Sequence, residues 1–145
     1  MRHCAFRLVF FKQKRPQMKK LLVLPLLVAA LNSFAGWELM FCDTVNDKGE
    51  CVGKADAFSL KGTALNFNVL LANTEGLKTV KIYFEVYVVN PATYAEELIT
   101  TQEITTAKDA KAAFVAISLT KKGNYLIKAR DAYKDYITSR EVVVN

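Results

Sequence analysis

The sequence predicts an all-β protein, an antiparallel β-sandwich of about seven or eight strands, and three observations carry that prediction. The stretch "TVKIYFEVYVVN" alternates Val80, Ile82, Phe84, Val86 and Val88 with Lys81, Tyr83, Glu85, Tyr87 and Val89. That is the period-two pattern of a strand with one buried face. Short β-branched and aromatic runs recur between turn signals, with no long apolar stripe at helical spacing. Glycine, proline and low-complexity tracts are too sparse to mark a linker, which leaves one domain.

The chain begins with a segment that reads as a leader. From Met18, "MKKLLVLPLLVAALNSFAGW" gives a cationic Lys19–Lys20 start, an apolar run from Leu21 to Leu31 and the small residues Ser33 and Ala35 at a cleavage position. The apolar run is about half of the roughly 20 residues a spanning helix needs, and Pro25 interrupts it. Cleavage after Ala35 is therefore expected, with no permanent membrane anchor. Residues 1 to 17 sit oddly before so complete a signal, and their simplest account is a start assigned too far upstream. The "MKK" opening resembles bacterial leaders, which points to the periplasm or the outside medium.

Processing changes the charge. The 145-residue chain carries 20 Lys and Arg against 14 Asp and Glu, a net +6, but residues 1 to 35 hold seven of the basic residues and none of the acidic ones. Residues 36 to 145 carry 13 against 14, a net −1. A nucleic-acid partner is not expected, because phosphate binding needs a basic patch that survives processing.

The elements then follow in order. Trp37 to Phe41 reads as a first strand. Next comes "FCDTVNDKGEC", whose Cys42 and Cys51 are the only cysteines after the leader, since Cys4 precedes Ala35. In an exported chain an even pair implies a disulfide. The central "NDKG" is turn-forming, with Gly49 available for a positive φ, so the two arms fold back and meet. A redox pair is normally C-x-x-C, which this spacing is not. The stretch also fails the calcium-loop pattern: counted from Asp43, the third position is Val45 and the twelfth is Lys54. Asp43, Asp47, Glu50 and Asp56 are read as a solvated acidic turn, and no metal or cofactor is expected.

Further strands are expected at Ala57 to Leu60, Ala64 to Leu71, Thr79 to Asn90, Leu98 to Thr106, Ala113 to Leu119, Asn124 to Arg130 and Ile137 to Val144. Turn signals fall at "ANTEG", "NP", "KKGN" and "DAYKD". In "NPATYAEEL", Asn90 as a cap and Pro91 in the first turn predict a helical turn before the Thr-rich strand.

One stretch, "LTKKGNYLIKARD", resembles the approach to strand F of immunoglobulin-like and fibronectin type III-like domains. There a turn glycine precedes a tyrosine and then alternating apolar residues; Gly123 and Tyr125 hold those places. The resemblance implies an immunoglobulin-like sandwich in which the Tyr125 hydroxyl bonds back to the backbone and ties the corner. Two positions depart from the antibody-type pattern: Ile127 stands where the second core cysteine would be, and the single Trp37 lies in the first strand.

Catalytic chemistry is scarce. The one histidine, His3, lies in the leader, which removes His-dependent triads and His-ligated zinc from residues 36 to 145. A paired-carboxylate glycoside hydrolase needs no histidine, but the adjacent Glu96 and Glu97 would point to opposite faces of a strand. The sequence thus predicts a small exported non-catalytic binding or structural protein, its partner an envelope protein or a carbohydrate. The candidate binding residues are Tyr83 and Tyr87, on the strand face opposite Phe84, and Tyr133 and Tyr136 in a loop. Rigid aromatic surfaces suit sugar rings or a partner's apolar patch, and the competing account has them shielding the sheet in cross-strand pairs.

Overall fold

Alternation of apolar and polar side chains dictates strands that bury one face each, and the chain folds accordingly. The computed structural model describes residues 36–145; the predicted leader, with its cleavage site, lies outside the described residues. Ten strands form among the described residues: β1 (Trp37–Cys42), β2 (Thr44–Val45), β3 (Cys51–Val52), β4 (Ala57–Phe58), β5 (Leu65–Asn73), β6 (Lys81–Val89), β7 (Glu96–Thr105), β8 (Ala112–Leu119), β9 (Gly123–Arg130) and β10 (Tyr136–Val144). Seven are long, and each lies on an expected run. Of the other three, each two residues in length, β2 and β3 are the arms of the cysteine hairpin.

Two sheets face each other, one in the order β1-β5-β8 and the other β4-β10-β9-β6-β7. All the long-strand pairings are antiparallel, while β4 runs parallel to β10. The chain alternates between the sheets, placing β5 and β8 in one and the hairpins β6–β7 and β9–β10 in the other. The space between them is filled by the inward residues of both: Phe41, Phe67, Val69 and Leu71 from one side, Ile82, Phe84, Val86, Ile127 and Val142 from the other. Phe67 anchors an aromatic cluster, stacked on Phe58 at 5.1 Å and edge-on to Phe41 at 6.0 Å. Each such ring removed from water stabilises the fold by roughly 1.5–3 kcal/mol.

The predicted disulfide is present, joining Cys42 to Cys51 with Cα atoms 5.4 Å apart. Its turn closes as the sequence requires: Gly49 sits at φ 76 and donates to the Asn46 carbonyl, while the Asn46 side chain accepts from the Lys48 and Glu50 amides. Tyr125, buried in β9, donates its hydroxyl to the Lys121 carbonyl at 2.7 Å, the corner bond implied by the resemblance.

The helical turn expected in "NPATYAEEL" forms as one turn and goes no further: the Tyr94 amide donates to the Asn90 carbonyl at 2.8 Å. The Asn90 side chain does accept from the Ala92 and Thr93 amides, as a cap would. But Tyr94 then takes φ 57, and the Asn90 amide donates to the Ala95 carbonyl, which turns the chain back into β7 at Glu96. The turn does not extend into a helix because β7 pairs with β6 from its first residue, and that ladder outweighs further helical turns. Other bounds shift: the strand expected at Ala57 to Leu60 is only Ala57–Phe58, β5 runs on to Asn73, β7 starts at Glu96 and not Leu98, and Val80 lies outside β6 and is half exposed.

Candidate binding surface

The outer face of the five-stranded sheet holds the predicted tyrosines, and the strand register fixes their neighbours. Across β7, β6, β9 and β10, one row runs Glu103, Tyr83, Arg130, Tyr136 and the next Thr101, Glu85, Lys128, Ser139. The third runs Leu98, Tyr87, Leu126, Glu141. Residues directly opposite in an antiparallel ladder share a face, so these rows form one continuous surface.

Charge organises its middle. Arg130 Nε donates to Glu85 Oε2 at 2.8 Å, and the Tyr87 hydroxyl donates to the same oxygen at 2.8 Å. Burial pushes the Glu85 carboxyl up, but the hydrogen bonds from Arg130 and Tyr87 and the guanidinium charge outweigh it and hold the group below its usual range. Tyr87 is shifted upward by burial and by its bond to that carboxylate. Lys128 pairs with Glu96 and lies 4.6 Å from the Tyr87 ring centre. Lys81 pairs with Glu103 at 2.6 Å, and that hydrogen bond raises the lysine and lowers the glutamate. Tyr87 is thus half-buried in a lattice of cations and carboxylates, the shielding role weighed against binding for it.

The end of the sheet beyond this lattice is different. Tyr136 is 59% exposed and lies two strands from Tyr83, roughly 9.6 Å between backbones. Tyr133, 86% exposed, caps the turn that carries the chain from Arg130 to Tyr136. That turn is held rigid by Asp131, whose side chain accepts from the Tyr133 and Asp135 amides at 2.8 and 2.9 Å, and by Arg130, which donates to the Lys134 carbonyl. Lys134 adopts φ 68 and sets its ammonium 3.0 Å from the Tyr83 ring centre. Tyr83 and Tyr136 therefore flank Arg130 in one row, the turn that carries Tyr133 and Lys134 lies at the end of that row, and Tyr87 stands two rows away. Sequence reasoning missed Lys134 and Asp131; the spacing "DAYKD" held the signal, an Asp two residues before a tyrosine in a loop.

The carboxylates do not assemble a dyad from Glu96 and Glu97, because neighbours on β7 project to opposite faces and Glu96 is engaged by Lys128. Among the described residues no three His, Cys, Asp or Glu side chains converge as metal ligands, the acidic turn from Asp43 to Asp56 included. No helix among them is long and apolar enough to cross a membrane.

The fold is immunoglobulin-like. Its warrant is internal: two facing antiparallel sheets, the alternation of strands between them, and the Tyr125 corner bond. No known family and no curated protein matches the chain. Among solved structures it is similar to an immunoglobulin-like protein from Pseudomonas aeruginosa, at 12% identity over 74% of this chain and 92% of that one, with a TM-score of 0.43. It is also similar to a β-glucosidase from Listeria innocua solved with isofagomine, at 15% identity over 77% of this chain and a TM-score of 0.42. The chain spans 16% of that enzyme's length.

Proposed function

We propose that the protein is a small exported non-catalytic binding domain whose working surface is the corner of the sheet around Tyr83, Tyr133 and Tyr136, and that its ligand is a carbohydrate of the cell envelope. The observation that carries this reading is the exposure of Tyr133 and Tyr136 at one end of the sheet, around a turn pinned by Asp131 and beside the row that holds Tyr83. A rigid aromatic side chain loses little rotamer freedom on binding and offers a flat apolar face to the axial hydrogens of a sugar, with a hydroxyl at its tip. Local charge is nearly balanced, Lys134 and Arg130 standing beside Glu85, Asp131 and Asp135, which suits a neutral glycan better than a polyanion. Export is supported by the disulfide, a bond that persists in oxidising compartments.

Titration of the purified protein against neutral envelope polysaccharides tests the reading. Tyr133→Ala and Tyr136→Ala should each weaken binding at least tenfold with the melting temperature unmoved, and Tyr87→Ala should leave affinity unchanged. Loss of stability in place of affinity would return the corner to a structural role. A crosslink from Tyr133 to an envelope protein, with no glycan bound, would make the partner a protein.

A further inference from the structure

Every sheet edge is a row of backbone donors and acceptors that can template another strand, and folded proteins guard such edges with brevity, charge, bulges or covering groups. Here the two sheets expose four edges, and three are guarded. β4 is only two residues long. β1 has two of its outward carbonyls taken: Leu39 O accepts from Arg140 and Phe41 O from the Ala55 amide. β7 carries Glu96, Glu97 and Glu103, and a bulge leaves Ile99 without a partner opposite Val86 and Tyr87.

Among the described residues β8 has none of these devices. From Ala112 to Leu119, "AAFVAISL", it holds no charged residue and no proline, and its pairing with β5 runs without a bulge. That is the composition of a central strand placed at an edge. The Asn73 amide donates to the Lys111 carbonyl at 2.8 Å, so along the ladder Lys111, Ala113, Val115, Ile117 and Leu119 face β5. Ala112, Phe114, Ala116 and Ser118 therefore turn their backbone groups to the open side, and all four are exposed. Phe114 is 52% exposed, and Leu98 and Ile99 of β7, near the other end of β8, are 51% and 50% exposed. A depression of about 530 Å3 opens at the C-terminal end of β8, lined by Leu98, Ile99, Ser118 and Leu119, with Glu97, Lys121 and Lys122 at the same end.

We infer that β8 is a self-association edge, where a second copy of this chain adds its own β8 in antiparallel register to give a continuous six-stranded sheet. The sequence of β8 fits itself. A twofold axis at Val115 is the register that uses all four free residues of each strand, pairing Phe114 with Ala116 and Ala112 with Ser118 of the partner copy. On the inner face it sets Ile117 against Ala113 and Val115 against its own counterpart. Phe114 and Ile117 each meet an alanine, no two large side chains collide and no charge opposes another within the strand, whereas β7 paired on itself would bring its glutamates together. An eight-residue edge is about 26 Å long, and the area it buries falls below the standard for a permanent complex, so the dissociation constant is on the order of 100 µM.

Sedimentation velocity and backbone amide exchange on the purified protein, each from about 20 µM to 1 mM, test this. A dimer of that affinity leaves about a fifth of the chains monomeric at 1 mM, so the Phe114, Ala116 and Ser118 amides should slow about fivefold while those of Thr101 and Glu103 do not. Ala116→Lys should restore a monomer, as should Ala116→Pro, which deletes a donor that β5 does not use. A protein that stays monomeric at 1 mM, an association unaffected by both substitutions, or concentration-dependent protection on β7 would overturn the inference. So would protection of β8 with no rise in mass, the signature of a bound foreign strand.

Discussion

Opening the bond between Cys42 and Cys51 should lower stability by an amount that the chain-entropy argument specifies. The two cysteines are nine positions apart, and a loop of that size, left free in the unfolded chain, gains about 8.7 cal/mol/K, or about 2.6 kcal/mol at 25 °C. For the 110 residues from 36 to 145 the unfolding entropy near the midpoint is about 230 cal/mol/K, so the melting temperature should fall about 11 °C. Reduced wild-type protein and the Cys42→Ala/Cys51→Ala pair should be melted side by side by calorimetry. Reduction keeps both sulfur atoms in place and reads the link alone. The alanine pair also deletes the buried Cys42 sulfur and should fall further. Because the hairpin β2–β3 contributes only two-residue strands, the rest of the sandwich should keep its circular dichroism after reduction. A loss under about 1 kcal/mol on reduction, or free thiols at both positions in the exported protein, would refute the reasoning.

Two further outcomes follow from the same structure. Tyr125→Phe keeps the buried ring but removes the bond to the Lys121 carbonyl, and should cost about 1 kcal/mol in a urea titration; no change would mean that the corner bond contributes nothing. Glu85, held ionised below its usual range in the folded state, contributes stability that is present above the unfolded carboxylate value of about 4.3 and lost as pH falls through its folded value. Wild type should therefore exceed Glu85→Gln by about 1 kcal/mol at pH 7, as befits a half-buried pair, and the gap should close toward pH 3. A gap independent of pH would show that packing, not charge, separates the two.

Much of this protein is written in its local pattern. The alternation from Ile82 to Val86 named the buried face of β6, and those residues are fully enclosed. Cys42 and Cys51, with a turn built on Asn46 and Gly49, announced their own bridge, because loop closure over nine positions is a local event. Tyr125 after Gly123 announced the corner for the same reason. Asn90 and Pro91 announced the single turn after β6, but cap chemistry looks alike at the start of a helix and in a tight hairpin, and only the partner strand decides that it stops there.

What periodicity cannot carry is which strands become neighbours. That Tyr83 and Tyr136 share a row beside the turn of Tyr133 while Tyr87 is locked beside Glu85 and Lys128 depends on registers between β6, β9 and β10, set by how whole faces bury against one another. The same holds for β8, whose uncharged sequence reads as a central strand and becomes an edge only through sheet order. A strand's own residues determine its two faces, since side chains alternate along one chain, but its two edges belong to whatever lies beside it. Tertiary structure alone made those choices.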